Sequence, residues 1–160
     1  MYNIRQAQES DIPALAGFEA EISVISFGGE AVTDPDFHAR KIRKSMDKDP
    51  AGMFVMTERP REGGEAAAER VIGWLWMDGK ENFLTGENYV NFRSFYIAKE
   101  RENGGAAKLL LERGMEFCRN IGAKSVVGKV HIANLPMRAL YKSFGFEATH
   151  ITMEYKFDEE

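Results

Sequence analysis

Hydrophobic and polar positions change period several times along the chain, and each change marks an element. "YNIRQAQ" alternates around Ile4 and predicts an opening strand. In "SDIPALAGFEAEI", Leu15, Phe18 and Ile22 recur at helical spacing, with Ser10 as a cap and Pro13 in the first turn. The period is lost in "ISFGGEAVTDPD", a loop, until Asp34 and Pro35 open a second helix, "PDFHARKIRKSMDK". Its apolar face (Ala39, Ile42, Met46) is thin, which suits a lid on the surface. "GMFVMTE" and "RVIGWLWMD" read as strands joined by the polar, mobile hairpin loop "RPREGGEAAAE", and "NYVNFRSFYIA" as a further strand dense in aromatic and β-branched residues.

Two adjacent glycines, Gly104 and Gly105, interrupt the pattern, and a helical period follows at once. "GAAKLLLERGMEFCRNIG" directs Leu110, Leu111, Gly114, Phe117 and Ile121 to one face and stops at Gly122. "KSVVGKVHI" predicts a strand. "NLPMRALYKSFG" predicts a short helix with Met137, Leu140, Tyr141 and Phe144 on one stripe, and "FEATHITMEYKF" a last strand. The order β α α β β β α β α β implies an α/β, or α+β sandwich, fold: a mixed, twisted, largely antiparallel sheet with hairpins first and right-handed crossovers later. At 160 residues this is one domain, 1–160.

Composition narrows the function classes. Hydrophobic residues at 44% and charged residues at 29% describe a soluble globular chain. With no long apolar run and no leader-like start, a cytoplasmic protein without membrane contact is expected. A formal net charge of −4 argues against a nucleic-acid partner. Cys118, the single cysteine, sits on an expected core face and reads as a small buried hydrophobe. His38, His131 and His150 are too scattered for a metal site, so no metal is expected.

The candidate chemistry lies at the glycine corner. A helix N-terminus presents unpaired N–H groups and a positive dipole end, and glycines let an anion approach the backbone. The P-loop pattern fails because no Lys-Ser/Thr pair follows Gly105, and the dinucleotide pattern GxGxxG fails as well. What remains is Arg101-x-x-Gly104-x-Ala106, which by itself fits a plain tight strand-to-helix turn equally well. Joined to "NLPMRALYKSFGF", with Asn134, Tyr141 and Gly145-Phe146, it resembles the GNAT superfamily of acyl-CoA-dependent N-acetyltransferases. The order of elements over nearly the whole chain resembles that family too.

The resemblance implies a splayed pair of parallel strands, helices on both faces of the sheet, and an acyl-CoA lying in the wedge. It implies that Phe95, Tyr96 and Ile97 form the edge that binds the pantetheine, with the N–H near Ile97 polarising the thioester carbonyl. It implies that Arg101, Glu102, Asn103, Gly104, Gly105, Ala106 and Ala107 hold the pyrophosphate, that Asn134 contacts the cofactor, and that Tyr141 is the general acid toward the CoA thiolate. The cosubstrate implied is acetyl-CoA. The acceptor is a small-molecule amine or an amine of a peptide or protein, and homodimers are common in such families. One departure matters: Asn91 stands where some members carry a glutamate base. Asp78, Glu81 and Glu87 lie at nearby strand ends, His131 leads toward Asn134, and a water chain would also serve, so the base is open. Asn91 also keeps a second reading in play, a non-catalytic acyl-CoA-binding module.

Overall fold

The computed structural model describes residues 1–60, 68–102 and 105–158, which form two compact units, Met1–Lys129 and Val130–Glu160. In the first unit, strand β1 (Tyr2–Gln6) leads through a 3-10 turn into helix α1 (Ile12–Phe27), followed by α2 (Pro35–Lys48), β2 (Met53–Glu58), β3 (Arg70–Glu81), β4 (Asn88–Ile97), α3 (Ala106–Asn120) and β5 (Ser125–Gly128). The strands make one sheet in the order β1-β2-β3-β4-β5, antiparallel except for the parallel β4–β5 pair. The mixed, largely antiparallel sheet expected from the sequence is therefore present.

The helices form where capping and periodicity agree. Asp34 caps α2 by accepting from the Asp36 N–H at 3.0 Å, with Pro35 in the first turn. As its thin stripe predicts, α2 buries only His38 and Ile42. The ring of His38 is satisfied locally, its Nε2 lying 2.6 Å from the Val32 carbonyl oxygen. Helix α1 runs to Phe27 and so includes "ISF", expected as loop. Ser10 lies in the preceding 3-10 turn and does not cap it. Gly28, with φ +57°, ends the helix, because the backbone there turns into a region that side chains disfavour.

Trp74, Leu75, Met53, Val55, Ile72 and Leu110 are among the core residues fully shielded from solvent. Helix α3 buries Ala106, Leu110, Leu111, Gly114 and Cys118. Ile121, expected on the same face, is instead 53% exposed, because the helix has already ended at Asn120. Cys118 is the buried hydrophobe foreseen, and burial pushes its thiol up to about 11.

In the second unit, Asn134 caps helix α4 (Leu135–Ser143), its Oδ1 accepting from the Met137 N–H at 3.3 Å. Residues 146–158 belong to no helix or strand, so the last strand expected over "FEATHITMEYKF" is not formed. Alternation sets which side chains share a face, but a strand exists only through a ladder with a neighbour. For the same reason the strand expected over "KSVVGKVHI" is confined to Ser125–Gly128, where β4 pairs with it. Residues 61–67 of the hairpin loop, expected to be mobile, lie outside the described residues.

Candidate functional site

The site is built on β4. It pairs with β3 along its whole length, from Glu81↔Asn88 to Gly73↔Ile97, but with β5 only from Tyr89↔Ser125 to Phe92↔Gly128. Residues 93–97 therefore have a strand on one side alone among the described residues, which is the splay of the parallel pair. A bulge against β3 falls at the same point. Trp76 faces Ser94 and Met77 faces Phe92, so Arg93 is an extra residue with no partner on β3.

The orientation of the free edge follows from the ladder. The Ala98 N–H donates to the Ile72 carbonyl at 2.7 Å. Alternation then turns the N–H groups of Ser94, Tyr96 and Ala98 toward β3 and those of Phe95 and Ile97 away from it, into the open side. Two parallel backbone donors with no strand to receive them are what a bound extended chain or a polarised carbonyl requires. The side chains of Ile97 and Phe92 point to the α3 face, near Gly73 and Gly114 respectively. Tyr96 points to the opposite face, where it stacks on Phe18 of α1 at 4.4 Å between ring centroids.

Beyond Ile97 the chain makes a 3-10 turn, Lys99–Arg101, and enters α3 through Gly105, which has φ +78° and accepts the Leu109 N–H at 3.2 Å. The left-handed backbone explains the glycine at this cap. Asn103 and Gly104 lie outside the described residues. Glu102 is exposed, while Ala106 is buried and Ala107 half-buried. Arg101 is held by Glu58, its Nε lying 3.0 Å from both carboxylate oxygens, and Glu100 is turned to Arg70. Two of the acids at this corner are thus paired with arginine, and the positive end of the α3 dipole lies just beyond them.

In the second unit Tyr141 is buried and stacks on Phe146 at 4.7 Å. Burial pushes its phenol up to about 12. Asn134 uses its side-chain oxygen as a cap. His131 is exposed and accepts the Ala133 N–H on Nδ1 at 3.1 Å.

The open question at the sequence level was the base, and the candidates separate. Asp78 lies directly opposite Asn91 on β3 and is paired with Arg93 at 3.6 Å, whose guanidinium covers Trp76 at 3.9 Å. Glu81, opposite Asn88, and Glu87 are exposed. Two acids not singled out from the sequence stand nearer the free edge. On α1, Glu19 accepts the Trp74 Nε1–H at 2.8 Å, and Glu21 accepts the Tyr96 hydroxyl proton. Burial first, and then this bond to Glu21, pushes the Tyr96 phenol well above its ordinary value. Glu19 and Glu21 are the only charged residues of α1, and neither has a cationic partner among the described residues. The available signal was the position of Glu19 itself. It follows Ile12, Leu15 and Ala16 at i+7, where an amphipathic helix otherwise carries an apolar residue.

Among the described residues there is no group of three metal-ligating side chains and no helix long and apolar enough to cross a membrane. Comparison with solved structures shows the same fold at low identity. A Trypanosoma brucei acetyltransferase superposes with a TM-score of 0.67 at 18% identity, covering 98% of this chain and 100% of that one. Glucosamine-6-phosphate N-acetyltransferase from Arabidopsis thaliana gives 0.67 at 15%, covering 99% of each chain. Ribosomal-protein-alanine N-acetyltransferase from Brucella melitensis biovar Abortus 2308 gives 0.69 at 14%, covering 99% and 100%. No curated protein sequence matches significantly. The model of the GNAT acetyltransferase family matches residues 19–146, a stretch that contains β4, the glycine corner and helix α4. The chain belongs to the GNAT acetyltransferase family.

Proposed function

We propose that the chain is a single N-acetyltransferase domain that moves an acetyl group from acetyl-CoA to a primary amine. The observation that carries this reading is the free edge of β4, where the N–H groups of Phe95 and Ile97 face away from β3 beyond the end of the β5 ladder. The residues fit an acyl-CoA in two respects: an extended pantetheine can take the place of the missing strand, and a polyanion can meet the first turn of α3. Phe95, Tyr96 and Ile97 would hold the pantetheine arm. Arg101 to Ala107 would hold the pyrophosphate, with Asn134 as a further contact.

The thioester supplies an activated acyl group, and the chain supplies position and electrostatics. A backbone N–H on the free edge, at Ile97 or Phe95, polarises the carbonyl. Tyr141 is assigned as the acid that protonates the departing thiolate, and its raised pKa keeps it protonated throughout the physiological range. The acceptor is a small-molecule amine or an amine on a peptide or protein, and the chemistry calls for no metal.

The test is thiol release from acetyl-CoA with the full chain and a mixed panel of primary amines. Amine-dependent release of free CoA is expected. Tight CoA binding without thiol release above background would instead support a non-catalytic acyl-CoA-binding module, the reading that Asn91 favours.

A further inference from the structure

We propose that Glu21 is the residue that receives the acceptor's ammonium group and takes its proton, so that the acceptors are amines carrying a positive charge at neutral pH. This rests on the acyl-transfer reading above. Four observations carry it. Tyr96 lies between Phe95 and Ile97, the two residues whose N–H groups face the free edge, and its hydroxyl is bonded to Glu21. The ring of Tyr96 is fixed by its stack on Phe18, so the Glu21 carboxylate bonded to its hydroxyl is held over the α1 face of this stretch of β4. Glu21 is exposed and can be reached by an acceptor. It has no cationic partner among the described residues, whereas Asp78, the acid opposite Asn91, is already matched by Arg93.

A carboxylate left with a hydroxyl donor and no cation attracts an ammonium ion, and aromatic walls add to that attraction. An alkylammonium must lose a proton before its nitrogen can attack, and Glu21 is placed to accept it. The balance is complete without another reagent. The nitrogen lone pair forms the C–N bond, the C–S bond breaks and its electron pair leaves on sulfur. Of the two protons lost between ammonium and amide, one passes through Glu21 to water and the other ends on the sulfur.

The experiment compares wild type and Glu21→Gln with two nucleophiles at pH 7: a primary alkylamine, which is protonated, and hydroxylamine, which is already neutral. Substitution should lower kcat/KM for the alkylamine by about a hundredfold and for hydroxylamine by no more than about threefold. CoA affinity, measured by calorimetry, should be unchanged. Equal losses with both nucleophiles, or no loss with either, would overturn the role of Glu21 while leaving acetyl transfer intact. Absence of thiol release by the wild type with every nucleophile would instead remove the acyl-transfer reading, and this inference with it. Glu21→Asp provides a second check: it keeps the charge and should recover part of the alkylamine rate, and recovery no better than with Gln counts against the proposal.

Discussion

At the scale of single residues, the most testable group is Tyr141. An acid must hold its proton until the leaving group needs it, and a phenol pushed up to about 12 by burial does so at every pH of interest. Replacing it with Phe should lower kcat by roughly ten- to a thousandfold with little change in CoA affinity, measured by steady-state kinetics and calorimetry. Because the folded pKa is raised, the wild-type rate should show no alkaline loss from this group until the pH approaches 12. Unchanged turnover in Tyr141→Phe would remove the phenol from the mechanism. The burial of Tyr141 was legible from its place on an apolar helical stripe, while its role as the acid belongs to the proposal. Glu21 was not legible, because a carboxylate on a helix ordinarily faces water, and Glu19 showed only as a charge at an otherwise apolar position. Only the pairing of β3 with β4 shows that an indole and a phenol lie beneath them.

Elements show why alternation is a partial guide. Taken alone, "NYVNFRSFYI" would put Val90, Phe92, Ser94 and Tyr96 on one face. The bulge at Arg93 reverses the phase, so Ser94 and Tyr96 lie on the face opposite Phe92. The extent of each strand was readable where hydrophobic alternation coincided with a partner and unreadable where it did not, as over 146–158. A second packing constraint escapes pattern reading altogether. Gly52 donates no side chain, and a Cβ there would lie 2.3 Å from the Met77 carbonyl oxygen, while the Met77 N–H donates to the Gly52 carbonyl at 2.9 Å. Backbone cannot yield as a flexible side chain can. Gly52→Ala should therefore cost about 1–3 kcal/mol, read as a lower urea midpoint at unchanged slope. A midpoint equal to wild type would mean that the β2–β3 hairpin relaxes freely.

For the molecule as a whole, acid sensitivity should centre on one ion pair near the start of the chain. Burial raises the Asp11 carboxyl, but Arg5, with bonds of 2.7 and 3.0 Å, and the Gln8 N–H outweigh it and hold its pKa below the ordinary value. A depressed folded pKa contributes stability that is complete above the unfolded value and lost as pH falls through the folded one. Urea midpoints of the wild type should thus decline below about pH 4, while those of Asp11→Asn start lower at neutral pH and decline less. Parallel pH curves for the two proteins would place the acid-sensitive contact elsewhere. Fold class was readable at this scale because the order of elements carries it. The acceptor was not, since no motif in the chain marks it. The extra residue at position 93 also sets stability against activity. Beyond it, β4 forgoes the ladder hydrogen bonds that a second neighbour would supply and keeps its edge open. A variant selected for stability alone would be expected to cover that edge, and would lose with it the room for an extended ligand.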